Sequence, residues 1–168
     1  MVYSTTDGQT RRIAQRLQRV VESLGHRVTL AAVEEAPAPD GHDKLVIGAR
    51  IRYGRHHPCV FDYVARHRAR IDRMPAAFFS VNVVARKPGK DQPDTNPYVQ
   101  QFLQRTRWQP QLLGVFAGRI DYSLYTWRDR QVIRFIMWLT RGPTRRDANV
   151  EFTDWARVDA FGRAIAQL

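Results

Sequence analysis

The chain has 168 residues, with 27 lysines and arginines against 16 acidic residues, a formal net charge of +11. That length suits one domain with a substantial core, and no run of about eighteen uncharged apolar residues occurs that would cross a membrane. A single cysteine, Cys59, excludes an internal disulfide and suits a reducing compartment. Its expected place is that of a small buried hydrophobe. The charge calls for an anionic partner: nucleic acid, an anionic membrane surface or an acidic substrate.

Met1, Val2 and Tyr3 open the chain as a short strand. A central strand of a parallel sheet should run about five or six residues, so either the natural coding sequence begins upstream, the favoured expectation, or the strand is a stub. Ser4, Thr5, Thr6, Asp7, Gly8, Gln9 and Thr10 lead into a helix expected over residues 8–24, where Ile13, Leu17, Val20, Val21 and Leu24 recur every three or four positions. A helix N-terminus leaves backbone N–H groups unpaired and carries partial positive charge. Hydroxyls and a glycine at that junction make a socket for a phosphate, although they equally suit a well-capped helix after a turn. The loop has neither the G-x-x-x-x-G-K-[ST] of nucleotide triphosphatases nor the three-glycine dinucleotide fingerprint.

Gly25 stops the first helix. Residues 27–33 read as a second strand and residues 34–41 as a loop. Residues 45–49 are continuously apolar, the mark of a strand buried on both faces. A loop dense in cations, residues 50–58, follows it, and then a helix over residues 60–72. Residues 76–84 form the next strand, which opens into a basic, proline-rich loop over 85–97. A helix over 98–107 and a strand over 112–118 complete four alternations. The class is therefore α/β, with a parallel sheet in the order 2-1-3-4-5 and helices on both faces. Its crevice should lie at the carboxyl ends of strands one, three and four, where residues 4–10, 50–58 and 82–97 converge.

A minimal fold would pass directly to a last helix. Instead residues 119–149 intervene before residues 150–153 resume a strand and residues 154–167 form the closing helix. The insertion carries an amphipathic helix over about 125–141. Val132, Ile133, Phe135, Ile136 and Leu139 fill one broad arc; Arg130, Arg134 and Arg141 cluster opposite, with Trp127 and Trp138 at the boundary. Such a face suits an anionic membrane interface, the domain's own core, or a second copy of the chain.

His56 and His57 are adjacent and point apart, with no ligand-spaced partners in sequence, so no metal site is expected. No catalytic acid–base pair, G-x-S-x-G or cysteine signature occurs. Nucleic-acid binding by the arginine–aromatic stretches would leave the phosphate loop and the crevice unexplained, so none is expected.

Residues 4–10 (STTDGQT), 46–54 (VIGARIRYG), 78–88 (FFSVNVVARKP), 95–98 (TNPY), 125–130 (YTWRDR) and 152–155 (FTDW) resemble the quinone-dependent protoporphyrinogen IX dehydrogenase family, almost end to end. That resemblance implies a single flavodoxin-like domain over 1–168, with a long-chain-type insertion interrupting its fifth strand. It implies FMN as cofactor, carrying the chemistry with no catalytic side chain assigned, and no metal. It also implies oxidation of protoporphyrinogen IX in haem synthesis with electrons passed to a membrane quinone, menaquinone or ubiquinone. By the same resemblance Ser4, Thr5, Thr6, Asp7, Gly8, Gln9 and Thr10 hold the phosphate. Ala49, Arg50, Ile51, Arg52, Tyr53, Gly54, Ser80, Val81, Asn82, Val83, Val84 and Ala85 flank the isoalloxazine. Arg50, Arg52, Arg86 and Lys87 would anchor the two propionates of the substrate. Trp127, Val132, Phe135, Ile136, Trp138 and Leu139 would contact lipid at the cytoplasmic face of the inner membrane, with a homo-oligomer left open. The alternatives are an NAD(P)H:quinone reductase of the same fold and an electron-transfer module, the latter disfavoured by the basic surface because flavodoxins are acidic.

Overall fold

The computed structural model describes residues 1–124, 126–139, 145 and 149–168, with the side chains of all these except 124, 129, 130 and 136–139. In chain order the elements are β1 (Val2–Tyr3), α1 (Gln9–Ser23), β2 (Ala31–Ala32), β3 (Leu45–Arg52), β4 (Arg55–His56), α2 (Pro58–Arg66), α3 (Arg68–Ile71) and β5 (Ala76–Val81). Then come α4 (Pro97–Thr106), β6 (Leu112–Phe116), β7 (Arg119–Asp121), α5 (Trp127–Leu139), β8 (Asn149–Glu151) and α6 (Trp155–Gln167). Five strands pair in parallel in the order β2-β1-β3-β5-β6. This is the 2-1-3-4-5 arrangement expected from the alternation.

Both faces of the sheet are covered, as the apolar runs over residues 45–49 of β3 and 76–79 of β5 require. On one face Ile47 and Phe78 meet Val60, Val64 and Phe102 of α2 and α4, with Phe78 and Phe102 stacked at 4.1 Å between ring centroids. On the other, Val46 and Phe79 meet Ile13 and Leu17 of α1 and Val158 and Ile165 of α6. Gly48 lies against the Phe79 ring so closely that a Cβ there would stand 2.2 Å from it.

The structure corrects several element boundaries. β2 is two residues rather than seven, because among the described residues its ladder is with β1, itself two residues long. β3 runs three residues beyond the apolar stretch into the cationic segment, where Ile51 and Arg52 pair antiparallel with β4. The helix expected over 60–72 breaks at His67 into α2 and α3. β5 ends at Val81, since the Asn82 side chain accepts the Ala85 N–H and turns residues Val83–Arg86 into a 3₁₀ helix. The strand expected to resume after the insertion does not join the main sheet. Among the described residues, β8 pairs only with β7 as an antiparallel ribbon, held also by an Arg119 Nε bond of 2.7 Å to Asn149 Oδ1. The insertion thus returns on itself before α6 begins.

Candidate functional site

A crevice opens at the carboxyl ends of the parallel strands, where the expected loops meet. The loop after β1 forms its floor through Thr5, Thr6, Asp7, Gln9 and Thr10. Gly8 is the N-cap of α1 at φ +83°, a left-handed conformation that favours glycine. Its N–H donates to Thr5 Oγ1 at 3.1 Å, and as a glycine it offers the helix no side-chain acceptor. The positive end of α1 therefore faces the crevice without a cap. Asp7 does not oppose an anion there, because its carboxylate accepts from Arg52 Nη1 at 3.3 Å.

Two members of the loop have other work. Ser4 is buried, its N–H donating to Gly48 O and its Oγ accepting the Arg50 N–H, which sews β1 to β3. The Gln9 amide donates to Glu151 Oε1 and Thr153 Oγ1, both at 2.8 Å, and accepts from Arg12. Its side chain braces the loop against the end of the insertion.

The second wall is the β3–β4 hairpin, lined by Arg50, Ile51, Arg52, Tyr53 and Gly54. Tyr53 at φ +50° and Gly54 at φ +74° make its two-residue turn, a geometry whose twist matches paired strands. Tyr53 stands 53% exposed at the mouth, with the Arg52 guanidinium 5.5 Å from its ring. Arg50 is different. Its Nε is buried with no hydrogen-bond partner, and burial, followed by the neighbouring charge of Arg52, lowers its pKa. An unpaired buried guanidinium N–H is costly and points to an anion that completes it.

The third wall is Val81, Asn82, Val83 and Val84, with Arg86 and Lys87 at its rim. Ala49, Ser80 and Ala85, expected to flank a ligand, are buried and do not line the crevice. Ser80 Oγ lies 3.1 Å from His56 Nε2 and accepts from Asn82 Nδ2 at 3.2 Å; Asn82 Oδ1 accepts the Ala85 N–H. This chain fixes the wall from inside.

Burial lowers the His56 pKa from 6.5 to about 3, so the ring is neutral in the native protein. The unfolded chain takes up that proton near its ordinary value, and the native one does not until much lower pH. The stability held by neutral His56 is complete above that ordinary value. It should fall by roughly 1.4 kcal/mol per pH unit as pH drops through the window. Urea unfolding between about pH 7 and pH 5 checks this slope, which His56→Phe should flatten.

Tyr98, Gly118, Arg119, Ile120 and Ile133 also line the crevice, and sequence reasoning misses them. Tyr98 stands in the first turn of α4, and Gly118 follows β6, whose carboxyl end is a readable signal. Ile120 and Ile133 come from the insertion, and no spacing in the sequence announces them. Ile133, like Val83 and Phe152, packs against the buried pair Ile120 and Tyr122, which seats α5 against the site. Trp127, Val132 and Phe135 are left 70%, 45% and 62% exposed. The side chains of Arg130, Ile136, Trp138 and Leu139, and all of Arg141, lie outside the described residues.

His56 and His57 do point apart: one enters the core, the other caps α2. Cys59 is not the buried hydrophobe expected. It is partly exposed, with Sγ 2.7 Å from His57 Nδ1 and donating to Glu34 Oε1 at 3.2 Å. Burial, then the Glu34 contact, pushes its thiol up to about 12, which removes it as a nucleophile near neutrality.

A parallel sheet in the order 2-1-3-4-5 with its crevice at the switch point is the flavodoxin-like arrangement. The flavodoxin domain family matches residues 1–147. The protoporphyrinogen IX dehydrogenase [quinone] of Escherichia coli strain K12 is 43% identical over 170 residues, covering 100% of this chain and 94% of that protein. The protein of the same name from Leishmania major is 39% identical over 171 residues, with 100% and 74% covered. A flavodoxin from the domain Archaea superposes with a TM-score of 0.58 at 13% identity, covering 99% of this chain and 94% of that one. The chain belongs to the flavodoxin domain family and, within it, to the family of the protoporphyrinogen IX dehydrogenases. Among the described residues, no helix is long and apolar enough to cross a membrane.

Proposed function

We propose that the chain binds FMN in this crevice and oxidises protoporphyrinogen IX to protoporphyrin IX, passing the electrons to a membrane quinone. The observation that carries the reading is full-length 43% identity to a dehydrogenase of that name, in a chain whose crevice ends on an uncapped helix N-terminus. FMN, when bound, supplies the electron-accepting chemistry. The chain binds, orients and shields.

Thr5, Thr6 and Thr10, with the first N–H groups of α1, are the phosphate donors of this reading, and Gly8, whose own N–H is taken by Thr5 Oγ1, supplies the turn. Ile51, Tyr53, Val83 and Val84 are the apolar sides for a flat ring, and Tyr53 at the hairpin tip is placed to stack on it. Arg50 is the anchor for a propionate, because its buried Nε lacks an acceptor that a carboxylate supplies. Arg52 is already engaged by Asp7, and Arg86 donates to Val83 O at 2.9 Å. Those two shape the rim more than they reach outward. Arg50→Met should raise the stability of the flavin-free protein by about 1 kcal/mol, since a buried unpaired donor disappears. The same change should weaken substrate binding roughly tenfold through loss of one charge-assisted pair. Thermal melts and a KM measurement check both arms.

The exposed apolar residues of α5 and the charge of +11 support a peripheral position on anionic lipid at the cytoplasmic face of the membrane. There the crevice would meet a substrate and a quinone that are both poorly soluble.

The test is anaerobic addition of protoporphyrinogen IX to flavin-loaded protein. Flavin absorption should bleach, then return on adding a menaquinone or ubiquinone analogue. Rapid bleaching by NAD(P)H with no response to the porphyrinogen would overturn the reading in favour of a quinone reductase.

A further inference from the structure

Outside the crevice, three side chains from two segments converge. Glu34 lies in the turn after β2, His57 is the N-cap of α2, and Cys59 stands in that helix's first turn. His57 Nδ1 is 2.7 Å from Cys59 Sγ, Sγ is 3.2 Å from Glu34 Oε1, and Oε1 is 3.9 Å from Nδ1. A triangle with those sides has all three corners about 2.0 Å from one common point. That distance matches a zinc–nitrogen or zinc–oxygen bond and falls about 0.3 Å short of a zinc–sulfur bond.

We propose that Glu34, His57 and Cys59 form a binding site for a divalent transition metal of the zinc class. The donor set selects the ion. Thiolate sulfur and imidazole exclude calcium and magnesium, which take oxygen ligands, and the carboxylate shifts preference from copper(I) toward zinc. That point lies in the plane of the three donors; an ion drawn about 1 Å out of it stands about 2.2 Å from each, within the zinc range, and takes a fourth ligand from water, because Glu34 is exposed and the other two are partly so. On binding, a metal–sulfur bond replaces the S–H bond, the thiol proton leaves to solvent, and no electron is transferred. His57 gives up its long 3.4 Å contact with the Cys59 N–H. One thiolate and one carboxylate balance the divalent charge, so the filled site is neutral. That neutrality works against the three features opposing a cation there: the burial and Glu34 contact that hold the Cys59 thiol protonated, the N-terminus of α2, and the nearby charge of Arg50. Sequence spacing hides the site, because Glu34 is 23 residues before His57 and meets it only through the sheet order.

The experiment is equilibrium dialysis of the flavin-loaded full chain against micromolar Zn²⁺, with metal per chain measured by mass spectrometry. The wild-type protein should hold one zinc per chain, and Glu34→Gln and Cys59→Ser should each weaken it at least tenfold. Glu34 is exposed and caps nothing, so Glu34→Gln keeps the fold; His57 is left alone because it caps α2. Co²⁺ in place of zinc should show a thiolate-to-cobalt band in the wild type that vanishes in Cys59→Ser. Absence of stoichiometric zinc, or unchanged affinity in either variant, overturns the site.

Discussion

Gly8→Asp is expected to yield colourless protein that keeps its fold. A Cβ at Gly8 meets nothing within 4 Å, and aspartate tolerates the left-handed conformation at a cost of about 1 kcal/mol. The fold therefore survives the change. The cofactor does not. The new carboxylate sits at the N-terminus of α1, where it caps the very N–H groups a phosphate would use, and it repels that phosphate. At about 4 Å and an effective dielectric constant near 20, one pair of like charges costs about 4 kcal/mol, roughly a thousandfold in affinity. Gly8→Ala, which brings the backbone strain without the charge, should stay yellow. Visible absorption and far-UV circular dichroism of the two variants check the claim. A flavin-loaded Gly8→Asp protein would remove this loop from the cofactor site.

Replacing Trp127, Val132 and Phe135 together by serine should release the protein from anionic vesicles. All three are largely exposed in the described structure, so none contributes much to the core. Transfer of such half-exposed side chains into the headgroup–acyl boundary is worth about 1 kcal/mol each. The triple variant should therefore bind vesicles roughly a hundredfold more weakly, with flavin content and melting temperature unchanged. What attraction remains should fade with added salt, as expected of charge alone. Unchanged co-sedimentation with vesicles would assign lipid contact to another surface.

The sheet order was legible because β3 and β5 are apolar on both faces, a pattern with few other uses, and helices alternate with them. The loop after β1 was legible for a similar reason: hydroxyls and glycine at a strand–helix junction have a narrow set of roles. The hairpin between β3 and β4 was not legible. Arg50 and Arg52 look like loop residues by charge, yet Ile51 between them keeps the alternation of a strand, and Tyr53-Gly54 is a two-residue turn that cations obscure. Ser80 turns away from the crevice because a strand's last residues alternate sides, and Ala85 because Asn82 ends β5 early and draws the Ala85 N–H into a capped turn. Ile120 and Ile133 belong to the crevice only through the return of the insertion, a long-range event with no local trace. The Glu34–His57–Cys59 convergence is of the same kind.

The brace on the phosphate loop sets an order of events during synthesis. Gln9 emerges from the ribosome with the first helix, while its partners Glu151 and Thr153 lie 142 and 144 residues further on. A nascent chain short of that point has the loop but not its brace. Any flavin met before those residues are made would find the loop unbraced, and a chain truncated before residue 151 is expected to hold flavin less tightly than the full chain.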